Sequence, residues 1–453
     1  MKQFQIRFAH PPFALFAMFA LFVVSSPLSA QTKLSMGDAA RLAAKQNGAV
    51  DVARTRVEQA SARAIQRRGA LLPDLAAGVR EGESTINSVT FPFSFNNPAT
   101  GKPLFNPNGD IIGPVRTIDL RYRLNQPLFD LGKYQSWRAA QASTSAADAD
   151  VSVQAEAAAA NAASVFVRAA RADAQLSARR ADSTLAADLL RIARDQLQAG
   201  VGIALDVTRA ESQLASVRAQ IITARSDRDR AILELKRVTG MAADAPLELA
   251  DSLAGLPIEA QLPSSAAALD AAEKTRADVR ALQAQEHAQQ MAAKAIKYER
   301  TPQLGLMVEQ GVIGKNTDRL LPTYTWGLQL SVGIFDGFRR ESRYQEQTAA
   351  SRETEAKLKD LRAQNALEVN TALLDLKAAQ EQLEAVQERL RLADQEVSQA
   401  QDRFKAGVAG NADVITALLS LNQARTMRND ALAAYQTARV ALAKATGAAS
   451  RLP

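Results

Sequence analysis

Two periodicities divide this chain. From Val369 to Phe404 a large apolar residue returns every seventh position, at Val369, Leu376, Leu383, Leu390, Val397 and Phe404. Three residues later in each step stands a mostly small one: Ala372, Ala379, Val386, Ala393 and Ala400. This is a heptad seam. The same step runs through Ala417, Ala424, Ala431, Ala438 and Ala445, and through Ala210, Val217, Ala224, Ala231 and Val238. Small seam residues let helices approach closely, which predicts antiparallel coiled-coil hairpins in place of a globular core. The proline-free segments 132–198 and 337–405 would each reach about 100 Å as helices. Segments 38–70, 206–238, 266–298 and 411–446 are about half as long, so that two placed end to end match one long helix.

The second period is two. In "YTWGLQLSVGIF" the apolar residues Tyr324, Trp326, Leu328, Leu330, Val332 and Ile334 alternate with Thr325, Gly327, Gln329, Ser331 and Gly333. Earlier, Ile118, Leu120, Tyr122 and Leu124 alternate with Thr117, Asp119, Arg121, Arg123 and Asn125. Such alternation predicts strands with one apolar face. Partner strands are expected near 75–90 and 303–312, joined through a long loop at 91–114 and a short one at 311–322. In a small soluble sheet packed on helices, Arg121 and Arg123 would be buried without visible partners. In a transmembrane barrel Arg121, Arg123 and Gln329 face a watery lumen, while Leu120, Tyr122, Tyr324, Trp326, Leu328 and Leu330 face lipid. Four strands cannot close a barrel and open edges are excluded from lipid, so several copies would have to pool theirs.

The chain also repeats itself. "AGVGIALDV" (199–207) returns as "AGVAGNADV" (406–414), and "LKRVTGMA" from Leu235 returns as "LAKATGAA" from Leu442, both at an offset of 207. A constant offset through a turn and the helix after it indicates duplication. The organisation expected is a leader at 1–30, a first repeat at 31–244, a linker at 245–264 and a second repeat at 265–453. The linker's prolines should keep it outside the helices.

Composition adds an address and removes some chemistry. Lys2 and Arg7 precede the apolar run 13–24 and the small residues "SSPLSA", the pattern of a secretory signal cleaved after Ala30. The apolar run is too short to span a bilayer. No cysteine occurs, so neither a disulfide framework nor a lipid-modified N-terminus is expected. The net charge of +7 is scattered at helical spacing among carboxylates, which reads as solvated helix faces and not as a nucleic-acid surface. His10 lies in the leader and His287 stands alone on a helix, with no accompanying metal-ligand cluster. No phosphate loop or nucleophile motif appears, so no enzyme, cofactor or metal is expected. The fold class expected is mainly α with a small β part. The competing reading is a soluble periplasmic coiled-coil adaptor without a pore, which would not need the strand pairs.

The order helix, strand, strand, long helix, short helix occurs twice, with "FDLG" (129–132) and "FDG" (335–337) at the strand-to-helix joins and "TG" closing each short helix. In this it resembles the TolC-like outer-membrane efflux proteins over essentially the whole mature length. The resemblance implies a homotrimer with a twelve-stranded barrel in outer-membrane lipid and a helical tunnel in the periplasm. It also implies that the repeated turns, with Gly200, Val201, Gly202, Gly407, Val408 and Gly410, are tips meeting a periplasmic adaptor and its inner-membrane transporter. Glycine there permits positive backbone dihedrals and close approach. Asp413 falls where relatives line the closed end with an aspartate, and Asp206 matches one side of a latch between neighbouring helices. Both are expected gate residues, and each would also favour its helix N-terminus. Thr416 replaces a second lining aspartate, while Phe404 and Ala409 replace the tyrosine and arginine of the latch.

Overall fold

The computed structural model describes residues 32–90, 96–106, 108–259 and 261–453. The expected leader lies outside them, as does part of the 91–114 loop. The chain opens with β1 (Thr32–Leu34), α1 (Met36–Gln46) and α2 (Gly48–Gly69), then strands β2 (Asp74–Asn87) and β3 (Ile111–Phe129). It runs down α3 (Leu131–Gln198) and returns on α4 (Ala204–Thr239). A connecting segment containing β4 (Leu247–Leu249) leads to α5 (Ser265–Thr275), α6 (Ala277–Tyr298), β5 (Gln303–Gly314), β6 (Leu321–Ser331), α7 (Arg339–Lys405) and α8 (Asn411–Ala445). The protein is mainly helical with a small β part.

The 68 residues of α3 span about 100 Å. This helix packs against α1, α2, α4, α6 and α8, while α7 packs against α5, α6 and α8. The heptad seams are where the sequence places them: Val369, Leu376, Leu383, Val397 and Phe404 are buried, as are all five alanines from Ala417 to Ala445. At the middle of the wall, Ala159, Ala162, Ala163 and Phe166 of α3 pack with Met36 and Ala40 of α1 and Leu235 of α4. Near the far end, Leu189 and Ala193 pack with Ala210, Phe404, Val414 and Leu421.

Two of the expected half-length helices are broken. The segment 38–70 divides at Asn47 and 266–298 at Arg276, both in extended conformation. Asn47 caps α2 by accepting from the Ala49 amide at 2.9 Å and donates to the Val238 carbonyl at 3.0 Å. Arg276 donates to Glu368 and to the Ala445 carbonyl at 2.8 and 3.1 Å. Each break receives the end of the stacked helix. Gly240, at φ 75°, closes α4 where a Cβ would lie 2.9 Å from the Gln46 carbonyl oxygen; Gly447, at φ 67°, does the same against the Arg276 backbone. The repeated "TG" thus marks a stacking joint, where positive φ and close approach both require glycine. The segment expected to be a plain linker supplies β4, paired in parallel with β1.

β2, β3, β5 and β6 form one antiparallel sheet in that order. β5 runs on to Gly314 and β6 ends at Ser331, so residues 311–314 belong to a strand and not to the expected loop, and α7 starts at 339 instead of 337. No helix among the described residues lies across either face of this sheet.

Between the two apolar stretches of the α3–α8 seam lies a polar belt. Asp182 of α3, only 2% exposed, accepts from Arg425 of α8 at 2.8 Å and Arg179 at 3.2 Å. Arg179 also donates to Thr426 at 3.1 Å, and Arg171 pairs with Asp430 at 2.8 Å. Burial pushes the Asp182 carboxyl above the ordinary carboxylate range, against the pull of Arg425 and Arg179. A carboxyl raised in the folded state contributes stability that is complete below its unfolded value and is lost as pH rises through the folded one. Relative to the wild type, Asp182→Asn should therefore gain stability as pH rises from about 4. Parallel melting profiles for the two proteins across that range would contradict this. Arg425→Ala leaves the buried carboxylate with Arg179 alone and should cost about 1–3 kcal/mol by denaturant unfolding in detergent, where a negligible change would be contradictory.

Candidate functional site

The sheet sorts its side chains by register, because residues directly opposite across antiparallel strands share a face. Tyr324, Trp326, Leu328 and Leu330 stand opposite Gln310, Val308, Leu306 and Leu304. Tyr122 and Leu120 stand opposite Ala77 and Val79 on one side and Gln310 and Val312 on the other. All six residues expected on the lipid side thus lie on one face, bare in the chain: Tyr324 is 78% exposed, Trp326 65% and Leu330 69%. Toward the loop end this face turns charged, where Arg116 pairs with Glu81.

Arg121, Arg123 and Gln329 lie on the opposite face. The two arginines are not without partners, which corrects the sequence expectation. Arg121 contacts Asp119 at 2.8 Å and Glu309 at 2.9 Å, and Arg123 reaches Glu309 at 2.8 Å. Gly78 and Gly311 flank Arg121 in the register, and a Cβ on Gly311 would strike the Leu120 carbonyl and Arg121 itself. Glycine here makes room for a charged cluster. Satisfied charges no longer argue by themselves for a watery lumen. The stronger observation is the apolar face that no helix among the described residues covers, Ile118 alone of its apolar series being buried near the loop end, together with edge strands β2 and β6 that have no partner among the described residues.

At the far ends of the helical pairs the two tips close alike. Gly200 has φ 74° and Gly407 φ 73°. The amides of Val201 and Val408 reach back to the carbonyls of Gln196 and Arg403, each at 3.0 Å, completing left-handed helix caps. Val201 and Val408, 79% and 69% exposed, project from these turns. Gly202 and Gly410 do not have positive φ, contrary to the expectation for all four glycines. Gly202 is needed for another reason: a Cβ there would sit 2.9 Å from the Leu197 amide nitrogen.

Asp206 and Asp413 occupy the third position of α4 and α8, and neither is a cap; the caps are Ile203 and Gly410, without side-chain bonds. Their carboxylates act on the helix through the macrodipole alone. Asp206 is half-buried and Asp413 exposed. The tips are tied by groups the sequence reading passed over. Asn411 donates to the Asp206 carbonyl at 2.8 Å, and Gln196 donates to the Phe404 carbonyl at 3.1 Å. Asn411 is fully buried, the signal for which would have been a polar residue at the first position of α8 on its apolar face. Phe404, at the place of a latch tyrosine, is 4% exposed and fills the core beneath the tips.

A family model described as outer membrane efflux protein matches residues 39–241 and 268–448. Alkaline protease secretion protein AprF of Pseudomonas aeruginosa is 28% identical over 279 residues, 60% of this chain and 54% of that protein, so the match spans about half the relative's length. The CmeC outer membrane channel of Campylobacter jejuni shares the fold with a TM-score of 0.71 at 16% identity, over 98% of this chain and 94% of that one. VceC of Vibrio cholerae does so with a TM-score of 0.69 at 18% identity, over 91% and 96%. The family model takes in both halves of the chain, with the sheet and the tips inside the matched stretches, and the chain belongs to the outer membrane efflux protein family.

Proposed function

We propose that this protein is the passive outer-membrane exit duct of a tripartite efflux or secretion system. The observation that carries the reading is the four-stranded sheet, apolar on one face, charged on the other and, among the described residues, unpaired at both edges. In lipid every edge group must be satisfied, and three copies give twelve strands, enough to close a barrel around an open interior. The Arg121, Arg123 and Gln329 face would line that interior. The helices continue the barrel as a periplasmic tunnel built from two structural repeats, 31–244 and 265–453, joined by 245–264. At its end Gly200, Val201, Gly202, Gly407, Val408 and Gly410 meet a periplasmic adaptor, behind which stands an inner-membrane transporter. The duct performs no chemistry, and its transporter decides the cargo.

Mass measurement of the detergent-solubilised protein should give three chains per particle, and a monomer would overturn the assembly. Leu328→Arg should impair membrane insertion at a cost of about 2–4 kcal/mol, whereas Gln329→Arg on the other face should be tolerated. Equal tolerance at both positions would refute the assignment of faces.

The tips can be tested without disturbing their caps. Space around Gly200 and Gly407 is open, and asparagine tolerates the left-handed conformation, so Gly200→Asn with Gly407→Asn adds bulk outside a preserved turn. Export should be lost while the trimer persists. Unchanged export would remove the tips from the docking surface.

Asp413, repeated three times around the axis, would place a negative ring at the tunnel's narrow end, with Asp206 behind it holding neighbouring helices. Asp413→Asn should lower cation preference in planar bilayers and weaken block by multivalent cations from the periplasmic side. Its effect on stability should stay within about 0.3–1 kcal/mol, the worth of a first-turn carboxylate. Unaltered selectivity and block would leave Asp413 with the helix role alone.

A further inference from the structure

Just beneath the sheet, a groove of about 610 Å³ lies between α6 and α7. Lys294, Lys297 and Tyr298 line one side and Tyr344, Thr348 and Ser351 the other, and no carboxylate is part of its wall. Of the acids on the adjoining turns, Glu299 pairs with Arg343, Glu341 with Arg300 and Asp336 with Arg340, while Glu286 accepts from Gln290 at 2.8 Å. Among the described residues Lys294 and Lys297 have no ion-pair partner. A lysine in the last helical turn can be explained by the macrodipole, which covers Lys297 but not Lys294 a turn earlier.

The groove's height on the molecule matters as much as its charge. Lys297 precedes β5 by six residues, so both lysines lie about one to two helical turns from the sheet. At the join itself Ile334, Phe335 and Phe338 are 92%, 74% and 66% exposed. An apolar collar with unpaired cations and hydroxyl donors directly below it matches the layering of a membrane surface: acyl chains first, then phosphate. The corresponding helix end in the first half, that of α2, carries Arg63, Arg67 and Arg68 with no acid in its last ten residues.

We propose that the α6–α7 groove binds the headgroup of an anionic phospholipid in the periplasm-facing leaflet, with Lys294 and Lys297 on the phosphate and the Tyr298, Tyr344 and Ser351 hydroxyls completing its hydrogen bonds, Thr348 being engaged with the Tyr344 carbonyl. The site rests on the reading that the sheet is embedded in the outer membrane with the helices beneath it. Each lysine near an anionic surface is worth about a fivefold change in binding, so removing both should weaken it by roughly ten- to thirtyfold.

The test is native mass spectrometry of the full protein in detergent, titrated with short-chain phosphatidylglycerol, phosphatidylcholine or inorganic phosphate, for the wild type and Lys294→Gln/Lys297→Gln. Preferential binding of phosphatidylglycerol, weakened by that factor in the variant at unchanged particle mass, is the expected result. Equal binding of both lipids, or undiminished phosphatidylglycerol binding by the variant, overturns the proposal; the latter is also the outcome if a neighbouring chain fills the groove. Inorganic phosphate binding as tightly as phosphatidylglycerol assigns the groove to a free anion and overturns the lipid reading. Particle mass, read from the same spectra, tests the trimer separately. A single variant, Lys294→Gln, should give an intermediate loss and guards against misfolding of the double one.

Discussion

An unpaired strand edge is the constraint from which the rest of this structure follows. Among the described residues β2 and β6 each offer one side of their backbone to no partner, and the sheet they bound shows Tyr324, Trp326 and Leu330 to the surroundings. In water such a sheet would invite aggregation; in lipid it is untenable alone. The proposed barrel, with the apolar face in membrane and the edges of several chains joined, would solve both problems at once and would leave Arg121, Asp119 and Glu309 facing inward as a satisfied cluster. A closed barrel then dictates what hangs below it. Helices leaving such a ring of strands would themselves form a ring. The helix seams combine large buried residues, Val369, Leu376, Leu383, Val397 and Phe404, with small heptad residues that bring backbones close, the pattern of Ala417 to Ala445.

The wall is not uniform, and its irregularities are where the two repeats do their positioning. Each long helix faces two shorter ones end to end, and the ends meet at Asn47 and Arg276, backed by Gly240 and Gly447. Lower down, the Asp182 belt interrupts the apolar seam between the hairpins, and buried polar residues of this kind fix register at some cost in stability. Lower still, the tips are held together by Asn411 and Gln196, both bonding to backbone carbonyls of the other hairpin. A tether to a carbonyl leaves the side chains around it free to vary, which suits the docking surface proposed for the tips.

Much of this was legible in the sequence because heptad and alternating patterns assign each residue to a face without reference to its neighbours in space. The buried series Val369 to Phe404 and the six residues of the apolar sheet face needed no more than that. What could not be read depends on register across long separations. Glu309 stands nearly 190 positions from Arg121, and only the pairing of β3 with β5 brings them together. Residues 311–314 looked like a loop because of their glycines, yet Gly311 is there to make room beside Arg121 within a strand. The break at Arg276 carries no glycine or proline; there Arg276 bonds Glu368 and the carbonyl of Ala445, the latter on a helix 169 residues away. The Asn47–Gly48 break was signalled by an ordinary turn dipeptide and is masked only by the helical pattern on either side.

The account depends on β6 of one chain pairing with β2 of the next, and the absence of native cysteine makes that contact directly measurable. Single cysteines placed along β2 and β6, combined pairwise in one chain and oxidised in outer-membrane vesicles, should yield interchain disulfides at one register, with a ladder on reducing-agent-free gels that stops at three chains. Crosslinking confined within a chain at every register, or a ladder running past three, would contradict the pooled barrel.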